Sequence, residues 1–112
     1  MMMIASRVLT LRSGKEEIKI PIQIFAPQRE KPGAWGCRYE VGWPEGKRSV
    51  TACGIDSIQA ITIALGMIGA EIYTSNYHKS GNLFWDVPGK GYGFPVASSL
   101  RDLLIGDDAK YF

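Results

Sequence analysis

The chain has 112 residues, 46% hydrophobic and 21% charged, with a formal net charge of +2. That length suits one domain with one core rather than a repeat array, and the composition excludes a disordered chain. The charge is uneven, with nine Lys or Arg against five Asp or Glu up to Ile55 and four against six from Asp56 onward; no run of three basic residues occurs. The basic half therefore reads as a solvated strand face.

At the start, MMMIA is too short for the apolar region of a signal peptide, and Arg7 interrupts it. The longest uncharged stretch, Ser57 to Ala70, falls short of the roughly 18 to 20 apolar residues of a membrane span. A cytosolic protein without a membrane partner is expected. Residues 1–55 read as antiparallel strands. Ile18, Ile20, Ile22 and Ile24 alternate with Lys19, Pro21 and Gln23, the period of a strand with one buried face. Pro21 has no N–H for a ladder, so an edge or a bulge is expected there. A strand over Arg7 to Arg12 joins it across Ser13-Gly14-Lys15-Glu16, and Ala26 to Gly33, with two prolines and three charges, reads as a loop.

Trp35, Cys37, Tyr39, Val41 and Trp43 alternate along a third strand, and Arg48 to Gly54 makes a fourth. The turn between them sets a register. A three-residue loop would place Cys37 opposite Cys53, whereas a four-residue loop pairs Val41 with Val50 and Tyr39 with Ala52. Hydrophobic pattern favours the second, which sends the thiols to opposite faces and leaves both free.

Residues 56–77 are expected to be one long helix capped by Asp56, with Gln59 reaching back. At 100° per residue Ile58, Ile61, Leu65, Ile68 and Ile72 form the stripe that should face the sheet. Ala60, Ile63, Met67 and Ala70 form a second apolar face, and Gly66 and Gly69 would allow close approach. Residues 78–112 form a glycine-rich segment, with a short strand in Leu83 to Val87 and a short helix over Ser98 to Ile105, capped by Ser98 or Ser99. The fold class is α+β: a four- or five-stranded antiparallel sheet with one long helix packed on one face and a short C-terminal helix.

The run of strands followed by G-I-D-S-I-Q-A-I-T-I-A-L, then L-F-W and G-F-P, resembles a family of small bacterial proteins classified as a domain of unknown function. The resemblance implies no activity and carries no functional residue.

Lys90 to Phe94, in KGYGFPVA, match the first five positions of the base-stacking strand of an RNA-recognition domain. The rest of that pattern fails. Pro95 replaces the expected Val, Ala97 replaces the final aromatic, and the strand before the long helix carries no aromatic residue. The spacing of Gly89, Gly91 and Gly93 fits no phosphate loop either, so the segment reads as a tight loop pinned by Tyr92 and Phe94. His78 is the only histidine, and no local Cys or His spacing supports a metal. It reads as a solvated helix-end residue. Glu71 is the only acid inside the helix, and Asp107 and Asp108 lie near the terminus; no carboxylate pair suits acid–base work.

No catalytic, metal or cofactor residue is therefore assigned, and the chain is expected not to be an enzyme. The expected function is a protein-interaction module acting through a protein partner or as a homodimer. Ile63, Met67, Trp85 and Phe94 are the candidate interface. The alternative is a binder of a small anionic ligand or nucleic acid through the basic sheet half and a loop carrying Lys90 and Tyr92; nucleic acid is not the expected partner.

Overall fold

A computed structural model describes residues 1–112. The strands β1 (Met3–Ser13), β2 (Glu16–Phe25), β3 (Gln28–Lys31), β4 (Ala34–Trp43) and β5 (Gly46–Gly54) come first in the chain. After them come α1 (Ser57–Thr74), α2 (Asn76–Lys79), the short strand β6 (Leu83–Phe84), a 3-10 helix over Ser98–Leu103 and α3 (Gly106–Tyr111). Across the sheet the strands lie β5-β4-β2-β1-β6, all antiparallel, with β3 continuing β2 along the same side of β4. The α+β class holds, with six strands in place of four or five.

The additional strand is β3, inside the expected loop Ala26 to Gly33. Ile24 pairs with Tyr39 and Gln28 with Gly36, so one extra residue bulges out between the two ladders. All four β3 residues are exposed. A strand with no buried face shows no alternation, and so its sequence looks like a loop.

Pro21 lies on an interior strand, yet the β2 ladder to β4 covers only Ile22 to Ile24 and ends at the proline. The ring sits on Gly42, where an added Cβ would lie 2.8 Å from Pro21 Cγ. Residues 16–20 of β2 are thereby free of β4, which gives this half the edge character the proline demanded.

The β4–β5 turn is tighter than either register considered from sequence. Trp43 pairs with Gly46 across a two-residue loop, which puts Val41 beside Arg48, Tyr39 beside Val50 and Cys37 beside Ala52. This is two residues from the expected register. Two being the period of a strand, every side chain keeps its expected face. Cys37 is buried and Cys53 exposed, both free. Alkylation of the native protein should therefore add one label rapidly, at Cys53, and a second only after unfolding; burial also pushes the Cys37 thiol pKa up, which keeps it in the unreactive form. Two rapid labels, or none, in the intact mass would contradict this arrangement.

Asp56 caps α1: its carboxylate accepts from Gln59 N–H at 2.7 Å, and the Gln59 side chain accepts from Ile55 N–H at 2.8 Å. The helix ends earlier than expected, at Thr74, because Ser75 leaves helical geometry and caps the separate turn α2. The face against the sheet is also rotated. Ala60, Ala64, Ile68 and Ile72 are buried at its centre, Ile61 and Leu65 flank it, and Ile58 is 73% exposed. At Gly54 an added Cβ would stand 2.5 Å from Ala60 N, so β5 touches the helix backbone there and only the alanine row fits beneath. An 18-residue helix with mean hydropathy 1.2 is apolar nearly all round, and periodicity alone cannot orient it.

Opposite these residues Leu9, Leu11, Ile20, Ile22, Ile24, Tyr39 and Val41 make the sheet's half of the core. The chain then returns. Leu83 and Phe84 pair with Leu11 and Thr10, and Tyr92, Phe94 and Leu104 close the core beside α1. Neither Ser98 nor Ser99 caps a helix; the 3-10 turn starts after Ala97 without a side-chain cap, and its residues are not buried.

Candidate functional site

The largest hollow on the surface is an open cleft of about 920 Å³ between the β4–β5 turn and the end of α1. Its aromatic wall is a stack of Trp43 on Tyr77, ring centres 5.1 Å apart and 18° from parallel. Its polar wall is Glu71. One carboxylate oxygen accepts from the Trp43 indole N–H at 2.8 Å and the other from Arg48 Nε at 2.7 Å, while the Tyr77 hydroxyl donates to Glu45 at 2.8 Å. Register explains the assembly: Trp43 and Arg48 flank the tight turn, and α1 runs back along β5 so that Glu71 arrives above both.

Tyr39 forms the floor. It is 2% exposed, yet its hydroxyl makes no hydrogen bond within the chain, and no side-chain oxygen or nitrogen is both buried and unpartnered. The hydroxyl therefore reaches the cleft. Burial, reinforced by the nearby Glu71 charge, pushes its pKa up, so it stays a neutral donor. The cleft can thus offer a donor at its base, a guanidinium at its rim and flat apolar surface between.

The KGYGFPVA segment has a structural job. Tyr92 and Phe94 are buried, so neither can stack on a base. The Arg7 guanidinium donates to the carbonyls of Tyr92 and Gly93 at 3.1 and 3.0 Å and lies 3.9 Å over the Trp85 ring. From the other side Asp108, 1% exposed, accepts from the backbone N–H groups of Tyr92 and Gly93, both at 2.8 Å, and from the Tyr73 hydroxyl at 2.5 Å. The expected terminal acid is thus the centre of a latch. An added Cβ at Gly91 would stand 2.6 Å from the Asp108 carboxyl carbon, which explains a glycine beside it.

Far from being a solvated residue, His78 is partly buried edge-on to Tyr73 and Tyr92. Its Nδ1 lies 2.5 Å from the Tyr92 hydroxyl, which in turn donates to Leu83 O at 3.2 Å, so an Nδ1–H tautomer satisfies the whole chain of bonds. Burial, then the Asp108 charge, pushes the Tyr92 pKa up to about 12, which removes it as a base near neutrality. Burial lowers the His78 pKa below its ordinary 6.5. As pH falls, the unfolded chain takes this proton first. The stabilisation is complete above pH 6.5 and is lost progressively below it. Urea denaturation should show stability falling as the solution is acidified through that value, and His78→Gln should flatten this portion of the profile; an unchanged profile would remove His78 as its cause.

The residues singled out from sequence are separated by the fold. Ile63 and Met67, 38% and 36% exposed, lie on the flank of α1 away from the returning tail. Phe94 is in the core and Trp85 is engaged by Arg7, so these two do not join them in one surface. Lys90 is exposed, but it shares a hollow with Asp86, Asp107 and Asp108, a setting that repels an anion, while its expected companion Tyr92 is buried. Sequence reasoning missed Tyr39, Trp43, Arg48 and Glu71 as a group. Glu71 was the available signal, being the one charge in an otherwise apolar helix.

The model of a domain of unknown function (DUF6968) matches residues 5–96, a span that includes the cleft and ends before the 3-10 helix and α3. No curated protein and no solved structure matches the chain.

Proposed function

This chain belongs to the DUF6968 family, and we propose that it works as a non-enzymatic, cytosolic protein-interaction module. One observation carries the reading: after the tail has covered one flank of α1, Ile63 and Met67 remain open on the other, beside the free edge of β5 and the aromatic cleft. Apolar surface of this kind, continuous with a concave aromatic site, favours a macromolecular partner. The two free thiols, one exposed, suit a reducing compartment. A photo-activated cross-linker at position 67, in cells, should give discrete protein adducts that Ile63→Glu abolishes, while the same group at Glu17 gives none. Equal labelling at both positions, or no adduct at 67, would sink the interaction reading.

A small anionic ligand is the second reading, and the cleft, rather than the Lys90 loop, is the place for it. The unpartnered Tyr39 hydroxyl and the outer nitrogens of Arg48 favour it. Quenching of Trp43 fluorescence by small carboxylates, abolished in Arg48→Ala, would support this reading over the first.

A further inference from the structure

We infer that the partner at this surface is a second copy of the chain, joined through β5 so that two sheets become one. This rests on the interaction reading above and names its partner. β5 is nine residues long, Gly46 to Gly54, and hydrogen-bonds only to β4; its other edge offers a row of free backbone groups. Such edges recruit another strand unless something blocks them. Here no proline, bulge or covering loop does so, and the two charges the strand carries, Lys47 and Arg48, are paired with Glu40 and Glu71 of its own copy.

Antiparallel pairing about Val50 uses the whole strand, with Gly46 meeting Gly54, Lys47 meeting Cys53, Arg48 meeting Ala52 and Ser49 meeting Thr51 of the other copy. No like charges face each other. The basic end, Lys47 and Arg48, instead approaches the end that carries Asp56, so the two ends are complementary in charge. The helices agree with this pairing. α1 lies over both β4 and β5, so joining the two edges places the α1 axes about two strand spacings, or about 10 Å, apart. That is the upper end of the roughly 8–10 Å at which helices pack. The groups brought together are Ile63 and Met67, the apolar residues left open on that flank. One rotation thus completes both the open ladder and the uncovered helix flank.

Cys53 is exposed and would stand opposite Lys47 of the second copy, twice per dimer. Its replacement tests the register without touching the core. Sedimentation velocity over a dilution series should find the wild type dimeric at tens of micromolar. Cys53→Lys should weaken the dimer, and Cys53→Glu strengthen it, by roughly 3- to 10-fold each; Met67→Glu should give a folded monomer. A wild type that stays monomeric overturns the self-pairing, as does a dimer whose affinity ignores both charges at position 53. If the monomer still yields adducts from position 67 with a different protein, self-pairing fails and the interaction reading stands.

Discussion

Asp108→Ala is expected to lower the unfolding free energy by about 3–5 kcal/mol, since each buried donor left without a partner costs roughly 1–3 kcal/mol. Three donors converge on this carboxylate: the N–H groups of Tyr92 and Gly93 and the Tyr73 hydroxyl. The bonds to a charged acceptor are stronger than those to a neutral one. Asp108→Asn should recover only part of the loss, because its amide nitrogen would point one donor at another. Tyr73→Phe removes the bond to Asp108 and the long 3.4 Å bond accepted from Ile105 N–H, but leaves the Tyr92 and Gly93 donors satisfied, and should cost less. Urea denaturation of the three variants should rank them in this order; an alanine variant as stable as the wild type would show that the latch carries little of the fold.

Gly69→Ala should destabilise the protein by about 2–3 kcal/mol, although alanine is the better helix former by about 1 kcal/mol. The carbonyl of Pro95 crosses α1 at this residue, and a Cβ would overlap its oxygen. That obstacle is backbone, which cannot rotate aside as a side chain would. The tail must lift, and Tyr92 and Phe94 lose their cover. Gly66, one turn away, is the control: nothing lies within 4 Å of its Cβ position, so Gly66→Ala should stabilise by roughly the helix-propensity difference. Thermal melts showing the two substitutions with the same sign would contradict the path of the tail. Faster tryptic cleavage at Arg101 in Gly69→Ala would locate the disturbance.

Much of this architecture was legible where one face is buried and the other wet. The alternation through Ile18 to Ile24 and Trp35 to Trp43 placed two strands, and Asp56 with Gln59 marked the start of α1. Legibility failed for three physical reasons. β3 is exposed throughout and carries no period. α1 is apolar on nearly every side, so its rotation depends on the contact at Gly54, which no local pattern encodes. The partners of Asp108 lie 15, 16 and 35 positions away, and a carboxylate among polar neighbours near a terminus looks solvated until the tail is folded. The cleft was missed for the same reason, with 28 positions between Trp43 and Glu71.

The order of strands in the sheet has a kinetic consequence. The β1–β2, β3–β4 and β4–β5 pairs each join neighbours in the chain across a two-residue turn, so these ladders close small loops and can form early. The tail closes a circuit of another scale, from Arg7 to carbonyls 85 and 86 positions later. It therefore has to be the last piece to dock and the first to leave. Native-state hydrogen exchange should report two tiers: the amides of Tyr92 and Gly93, bonded only to the Asp108 carboxylate, exchange through a partial opening, while those of Ile22 and Tyr39 wait for global unfolding.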